Sequence, residues 1–206
     1  MKKILYSLGL VFSMATAAAA QDVHNLKIAT FVTPKHAMSQ WIEKWADGLE
    51  EKSGGRLKFT ILPGTQMGPP PAYYDLAANG VADITWILHG ATPGRFPLTE
   101  ISNMPFVFCS AEQADRVLNS PELLDYIRPE HKGVKVLTVF MHPPGHIMTN
   151  GSPIRSKSEF AGKALRPASR PVGQFVGALG GRPVGLPPTE LAESLQKNVI
   201  DGAMID

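Results

Sequence analysis

The stretch GKALRPASRPVGQFVGALGGRPVGLPPTELAESLQKNVIDGAMID, residues 162–206, constrains the fold most. A brief apolar run over 163–166 ends on Arg166. Residues 169–179 then place Val172, Phe175, Val176 and Leu179 on one helical face. Pro171 falls in the first turn, where its missing N–H costs nothing. Gly180-Gly181 stops the helix, 182–184 reads as a strand, and 189–198 as a second helix with Leu191 and Leu195 inward. Glu193 and Lys197 form an i,i+4 surface pair, and 199–205 returns as a strand. Strands alternating with helices at this spacing close as a largely parallel sheet with right-handed crossovers. A lone arginine at the carboxyl end of such a strand, facing a helix start, is well placed to hold a carboxylate.

The first half repeats the alternation. Leu26 to Val32 reads as a buried strand that Thr33-Pro34 breaks. In residues 38–52, Trp41, Ile42, Trp45 and Leu49 recur at helical spacing, and Ser53-Gly54-Gly55 stops the helix. Leu57, Phe59 and Ile61 alternate in a strand with one buried face. A Gly/Pro loop over 65–71, a short helix over 72–79 and a third strand over 81–88 follow. The loop 89–98 leaves the carboxyl end of that strand, where open α/β sheets collect ligands. Ser110 and Gln113 form a capping box for a helix through Leu118; residues 121–127 are another short helix and 134–140 another strand. The turn-rich HPPGHIMTNGSP, residues 142–153, suits a linker or a domain crossing.

The N-terminus reads as a processing segment. Lys2 and Lys3 precede a short apolar run, and Ala18-Ala19-Ala20 fits the small-residue cleavage rule, so residues 1–20 are a signal peptide with a mature start near Gln21. An uncleaved anchor is the alternative, but the run is short for a bilayer. The chain has 20 Lys+Arg and 18 Asp+Glu; without Lys2 and Lys3 there are 18 of each. A neutral balance with no basic run argues against nucleic acid and anionic membrane as partners, and no direct membrane insertion is expected. The single cysteine, Cys109, allows no internal disulfide; it reads as a small apolar filler, with a reactive thiol as the alternative. The strand-like IDGAMID at the end has no polar tail and reads as an element cut through.

Several pieces, taken in order, carry a family pattern: residues 26–63, GVADITW, PGRFPLTEISNMPFVF, GVKVLTVF, GKALRPAS and LGGRPVGLPPTELAESLQKNVIDG. The chain resembles the periplasmic substrate-binding subunits of tripartite ATP-independent periplasmic (TRAP) transporters, of the dicarboxylate-binding type. The resemblance implies an α/β chain with the two-lobed, type II periplasmic-binding-protein-like fold, its C-terminal part missing. It implies a first lobe over 21–138, an incomplete second lobe over 139–206, and a ligand cleft between them. It also implies a periplasmic location, capture of a small organic acid, delivery to TRAP membrane subunits, no catalysis and no cofactor.

The resemblance implies that Arg166 pairs with the ligand carboxylate. A guanidinium presents two parallel donors that match a carboxylate; a structural ion pair is the alternative. Arg95 matches a family arginine near the pocket mouth, with a loop-fixing role as its alternative. Thr92 is a candidate hydroxyl donor in the same loop, and Trp86 is a candidate aromatic wall or a core residue. Many members carry a second cleft arginine where this chain has Gly145-His146, and His146 offers a hydrogen bond or, protonated, a charge. Many also place a polar group where this chain has Ala203-Met204. Both departures make the cleft less polar, which points to a ligand with one carboxylate and an apolar or aromatic body.

His142 and His146 have the spacing of a helical metal pair, but Pro143-Pro144-Gly145 forbids that helix, and no metal is expected. Nucleophile-elbow, phosphate-loop and dinucleotide motifs are absent from the sequence. The rival readings are a periplasmic hydrolase or lyase using His142 or His146 as base, and a fragment that binds nothing.

Overall fold

A computed structural model describes residues 22–205, so the signal-peptide reading lies outside the described residues. Two α/β lobes follow in chain order. In the first, β1 (His24–Ala29) lies centrally between β2 (Leu57–Leu62) and β3 (Ile84–Thr85), all parallel. In the second, β4 (His146–Thr149), β7 (Gly202–Ile205), β5 (Ala164–Arg166) and β6 (Arg182–Pro183) stand in the order β4-β7-β5-β6. Only β4 runs antiparallel in that sheet.

The crossovers form where periodicity places them. Helix α1 (Ala37–Lys52) starts at His36, whose Nδ1 accepts from the Met38 N–H, and ends at Gly54 and Gly55, both at positive φ. Its Ile42 and Ala46 pack on Ile28 of β1. Trp41, expected on this buried face, is exposed, stacks on Trp45 and borders a cavity beside β3. Helix α2 (Tyr73–Ala78) buries both tyrosines. Ser110 caps α3 (Ala111–Leu118) by accepting from the Gln113 N–H, and Gln113 Oε1 accepts in return from the Cys109 N–H. Ser120 caps α4 (Pro121–Ile127). In the second lobe, α5 (Arg170–Ala178) lays Val176 on Leu165 and Phe160, and α6 (Leu191–Gln196) leads to the expected Glu193–Lys197 ion pair.

Four expectations fail for physical reasons. The third strand, expected over 81–88, is reduced to two residues. Residues 134–140 form no ladder at all, despite their strand-like composition. A cavity of about 640 Å³, lined by Ile84, Trp86, Val136 and Phe140, separates this stretch from β3, so neither edge reaches the other. The Asn119 side chain does part of a ladder's work. Its Oδ1 accepts from the Val139 N–H, its Nδ2 donates to Val139 O, and Asp115 Oδ1 accepts from the Met141 N–H. Third, of the linker and the domain crossing offered for residues 142–153, the linker fails, because the stretch contains β4, which pairs from His146↔Ile205 to Thr149↔Gly202. Fourth, Cys109 is exposed rather than a packed filler, because the run before it is a loop turned by Phe106 at φ 69°.

Candidate functional site

β5 ends with Arg166 at a cavity of about 770 Å³ between the lobes. Small-molecule sites span roughly 300–1,000 Å³. The loop after β3 contributes one wall through Leu88, Gly90 and Pro93; the turn after β5 and the start of α5 contribute the other. Carboxyl ends of parallel strands from both lobes therefore converge on one space. At the seam the backbones nearly touch: a Cβ on Gly90 would stand 2.6 Å from Ala168 O. Glycine is required there for closeness and not for an unusual dihedral.

Arg166 is only 5% exposed. Its Nε donates to Leu186 O at 3.2 Å, and its two terminal nitrogens have no partner among the described residues. Burial alone lowers its pKa, and no neighbouring carboxylate counters that effect. Arginine remains a cation at neutral pH even so. An uncompensated, desolvated guanidinium on the wall of a largely apolar cavity is costly, and an incoming anion relieves that cost.

Of the five residues singled out from the sequence, Arg166 alone lies on this wall. Arg95 is held in a bidentate pair with Asp75, Nη1 to Oδ2 at 3.0 Å and Nη2 to Oδ1 at 2.7 Å, and its guanidinium sits 4.0 Å above the Tyr74 ring. The pair raises the Arg95 pKa and lowers that of Asp75. Thr92 Oγ1 turns back on its own loop and donates to His89 O. Trp86 stacks on Phe31 at 4.8 Å and packs with two core clusters of the first lobe. His146 is exposed at the start of β4, and His142 with the following Pro-Pro-Gly is non-helical, so the two do not share a helix face. The sequence reading missed Ser169 and Arg170, which lie on the same wall as Arg166. Their signal was present: polar residues at the start of the helix that leaves the Arg166 strand.

Beneath the seam, two histidines share a proton. His131 Nδ1 lies 2.9 Å from Ile127 O, and a carbonyl only accepts, so Nδ1 carries the hydrogen. His131 Nε2 is then the acceptor, and His89 Nε2 donates to it across 2.9 Å. Phe96 stacks on His131 and meets His89 edge-on. Burial first, and then the neighbouring His131, push the His89 pKa down from 6.5 to about 4, only partly opposed by Glu130. The unfolded chain takes up that proton below pH 6.5 and the folded chain does not. The stabilisation is therefore present above pH 6.5 and is lost as pH falls toward 4, a difference of roughly 3 kcal/mol at most. Thermal unfolding followed from pH 7 to pH 4.5 is expected to show a falling melting temperature, with a shallower slope in His89→Gln. An unchanged slope in that variant would remove His89 as the cause.

The family model described as bacterial extracellular solute-binding protein, family 7, matches residues 28–205. The chain belongs to this family. Among solved relatives of this family 7 chain is a marine metagenome TRAP solute-binding protein, specific for aromatic acid ligands, in complex with 3-hydroxybenzoate. It is 34% identical with a TM-score of 0.85, over 89% of this chain and 58% of that one. Another is a TRAP solute-binding protein from Rhodoferax ferrireducens with copurified benzoate, 35% identical with a TM-score of 0.81, over 89% of this chain and 57% of that one. A curated solute-binding protein of Albidiferax ferrireducens is 27% identical over 79% of this chain and 48% of its own length. The chain thus spans about half to three-fifths of the length of these relatives. The two-lobed α/β fold and the TRAP solute-binding family are those expected from the sequence. Among the described residues no helix is long and apolar enough to cross a membrane.

Proposed function

We propose that this chain captures an aromatic monocarboxylic acid in the inter-lobe cavity, with Arg166 gripping the carboxylate, and that in the periplasm it delivers the acid to TRAP membrane subunits. The observation that carries the reading is Arg166: a buried guanidinium with both terminal nitrogens unpaired, on the wall of a cavity whose other contributors include Leu88, Pro93 and Leu186. Arg170 on the same wall is exposed, so Arg166 is the one buried cationic fork there; amid apolar side chains it favours one carboxylate on an apolar body, because a second buried carboxylate would be desolvated without a matching partner. The aromatic acids bound by the marine and Rhodoferax relatives have this chemistry.

Binding without turnover is supported by the same geometry. A general base must reach the bound acid, and His142 and His146, the bases considered from the sequence, are not on the cavity wall. Isothermal titration of the chain with benzoate, 3-hydroxybenzoate and succinate, followed by mass analysis of the recovered ligand, tests the reading. The expected result is one-to-one binding of the aromatic acids, succinate at least about tenfold weaker, and ligand recovered unchanged. A preference for succinate contradicts the monocarboxylate assignment, and chemical conversion of the ligand contradicts binding alone.

A further inference from the structure

Ser169 occupies the capping position before α5, yet its hydroxyl caps nothing. A capping serine accepts from the second or third N–H of its helix. Pro171 has no N–H to give, and the side chain does not take that of Val172 either. Ser169 is 5% exposed, and its Oγ is shut off from solvent with no hydrogen-bond partner among the described residues. Gly90 presses over it from the other lobe; a Cβ there would lie 3.3 Å from Ser169 Cβ. A buried hydroxyl left unbonded costs free energy, and such groups persist mainly where function uses them.

Ser169 lies on the wall of the same cavity as Arg166, three residues further along the chain. Recognition through Ser169 requires a rotation about its Cα–Cβ bond, between staggered positions, that turns the hydroxyl toward the cavity. Arg166 alone offers the two parallel donors that a carboxylate needs, so the carboxylate does not require Ser169. A serine hydroxyl is both donor and acceptor, and the group that matches it in both senses is another hydroxyl.

Building on the carboxylate reading of this cavity, we propose that Ser169 is a specificity-determining residue that selects acids carrying a hydroxyl group over their unsubstituted counterparts. The acid is anchored at Arg166, and its hydroxyl exchanges a hydrogen bond with Ser169 Oγ. Titration of the unmodified chain and of Ser169→Ala with benzoate and 3-hydroxybenzoate tests this. The unmodified chain is expected to bind 3-hydroxybenzoate about tenfold more tightly than benzoate, and Ser169→Ala to abolish that preference while benzoate affinity stays within about twofold. Retained benzoate binding shows that the variant is folded. Equal losses for both acids would make Ser169 a carboxylate contact or a structural residue, and an unchanged preference would remove it from recognition; either result overturns the assignment. If the unmodified chain binds neither acid, the carboxylate reading falls first and this one with it.

Discussion

Replacing Arg166 with methionine is expected to abolish measurable benzoate binding and, in the ligand-free chain, to raise the melting temperature. The two effects have one cause. Arg166 is desolvated and makes one hydrogen bond, Nε to Leu186 O, with no carboxylate beside it. Methionine keeps the unbranched apolar stem and removes the charge. The ligand-free protein then escapes the burial penalty, at the cost of one backbone bond, for a net gain of about 1 kcal/mol or a few degrees. The bound state loses two charge-assisted hydrogen bonds, each worth about 1.5–3 kcal/mol, so affinity falls by at least about a hundredfold. Arg166→Lys is milder: it keeps the charge but loses the planar fork, and about tenfold to a hundredfold weaker binding is expected. A stabilised variant that no longer binds is the signature of a residue kept for a ligand. If Arg166→Met is destabilised and still binds benzoate normally, Arg166 is structural.

Gly90→Ala is expected to have the next largest effect, without touching a charge. The added Cβ would meet Ala168 O at 2.6 Å, a backbone atom that cannot swing aside. The loop after β3 and the turn after β5 must separate to admit it. Benzoate binding is expected to weaken by about tenfold or more, since a shift of an ångström at the seam admits water and misaligns the grip on the acid. The individual lobes should keep their cores. Gly48→Ala in α1 is the control: nothing lies within 4 Å of its added Cβ, and it should leave affinity unchanged while stabilising the helix slightly. Titration of both variants beside the unmodified chain checks this. If Gly90→Ala binds as tightly as the control, the seam does not govern capture.

Local information found the helices well and the strands less well. α1, α3 and α5 formed within a residue or two of their expected bounds, because periodicity, caps and Gly stops act within a few residues along the chain. Residues 134–140 have a strong strand composition and make no ladder, while β4 arose in a stretch that looked like a linker. A strand is defined by its partner: β4 exists because β7 pairs with it, and 134–140 faces a cavity where a neighbour would be.

The candidate site divides along the same line. The strand that ends on Arg166 and the helix start that follows were legible in the sequence alone, while a structural ion pair remained open for the arginine itself. Tertiary structure decided which other side chains share its cavity. It assigned Arg95 to Asp75, Trp86 to Phe31 and His89 to His131, and it brought Gly90 against Ala168 and left Ser169 unbonded. Each of those pairings joins residues far apart in the chain, some from different lobes. Short-range periodicity and capping fix the elements, but only the packing of one lobe against the other determines which polar groups are satisfied and which remain for a ligand.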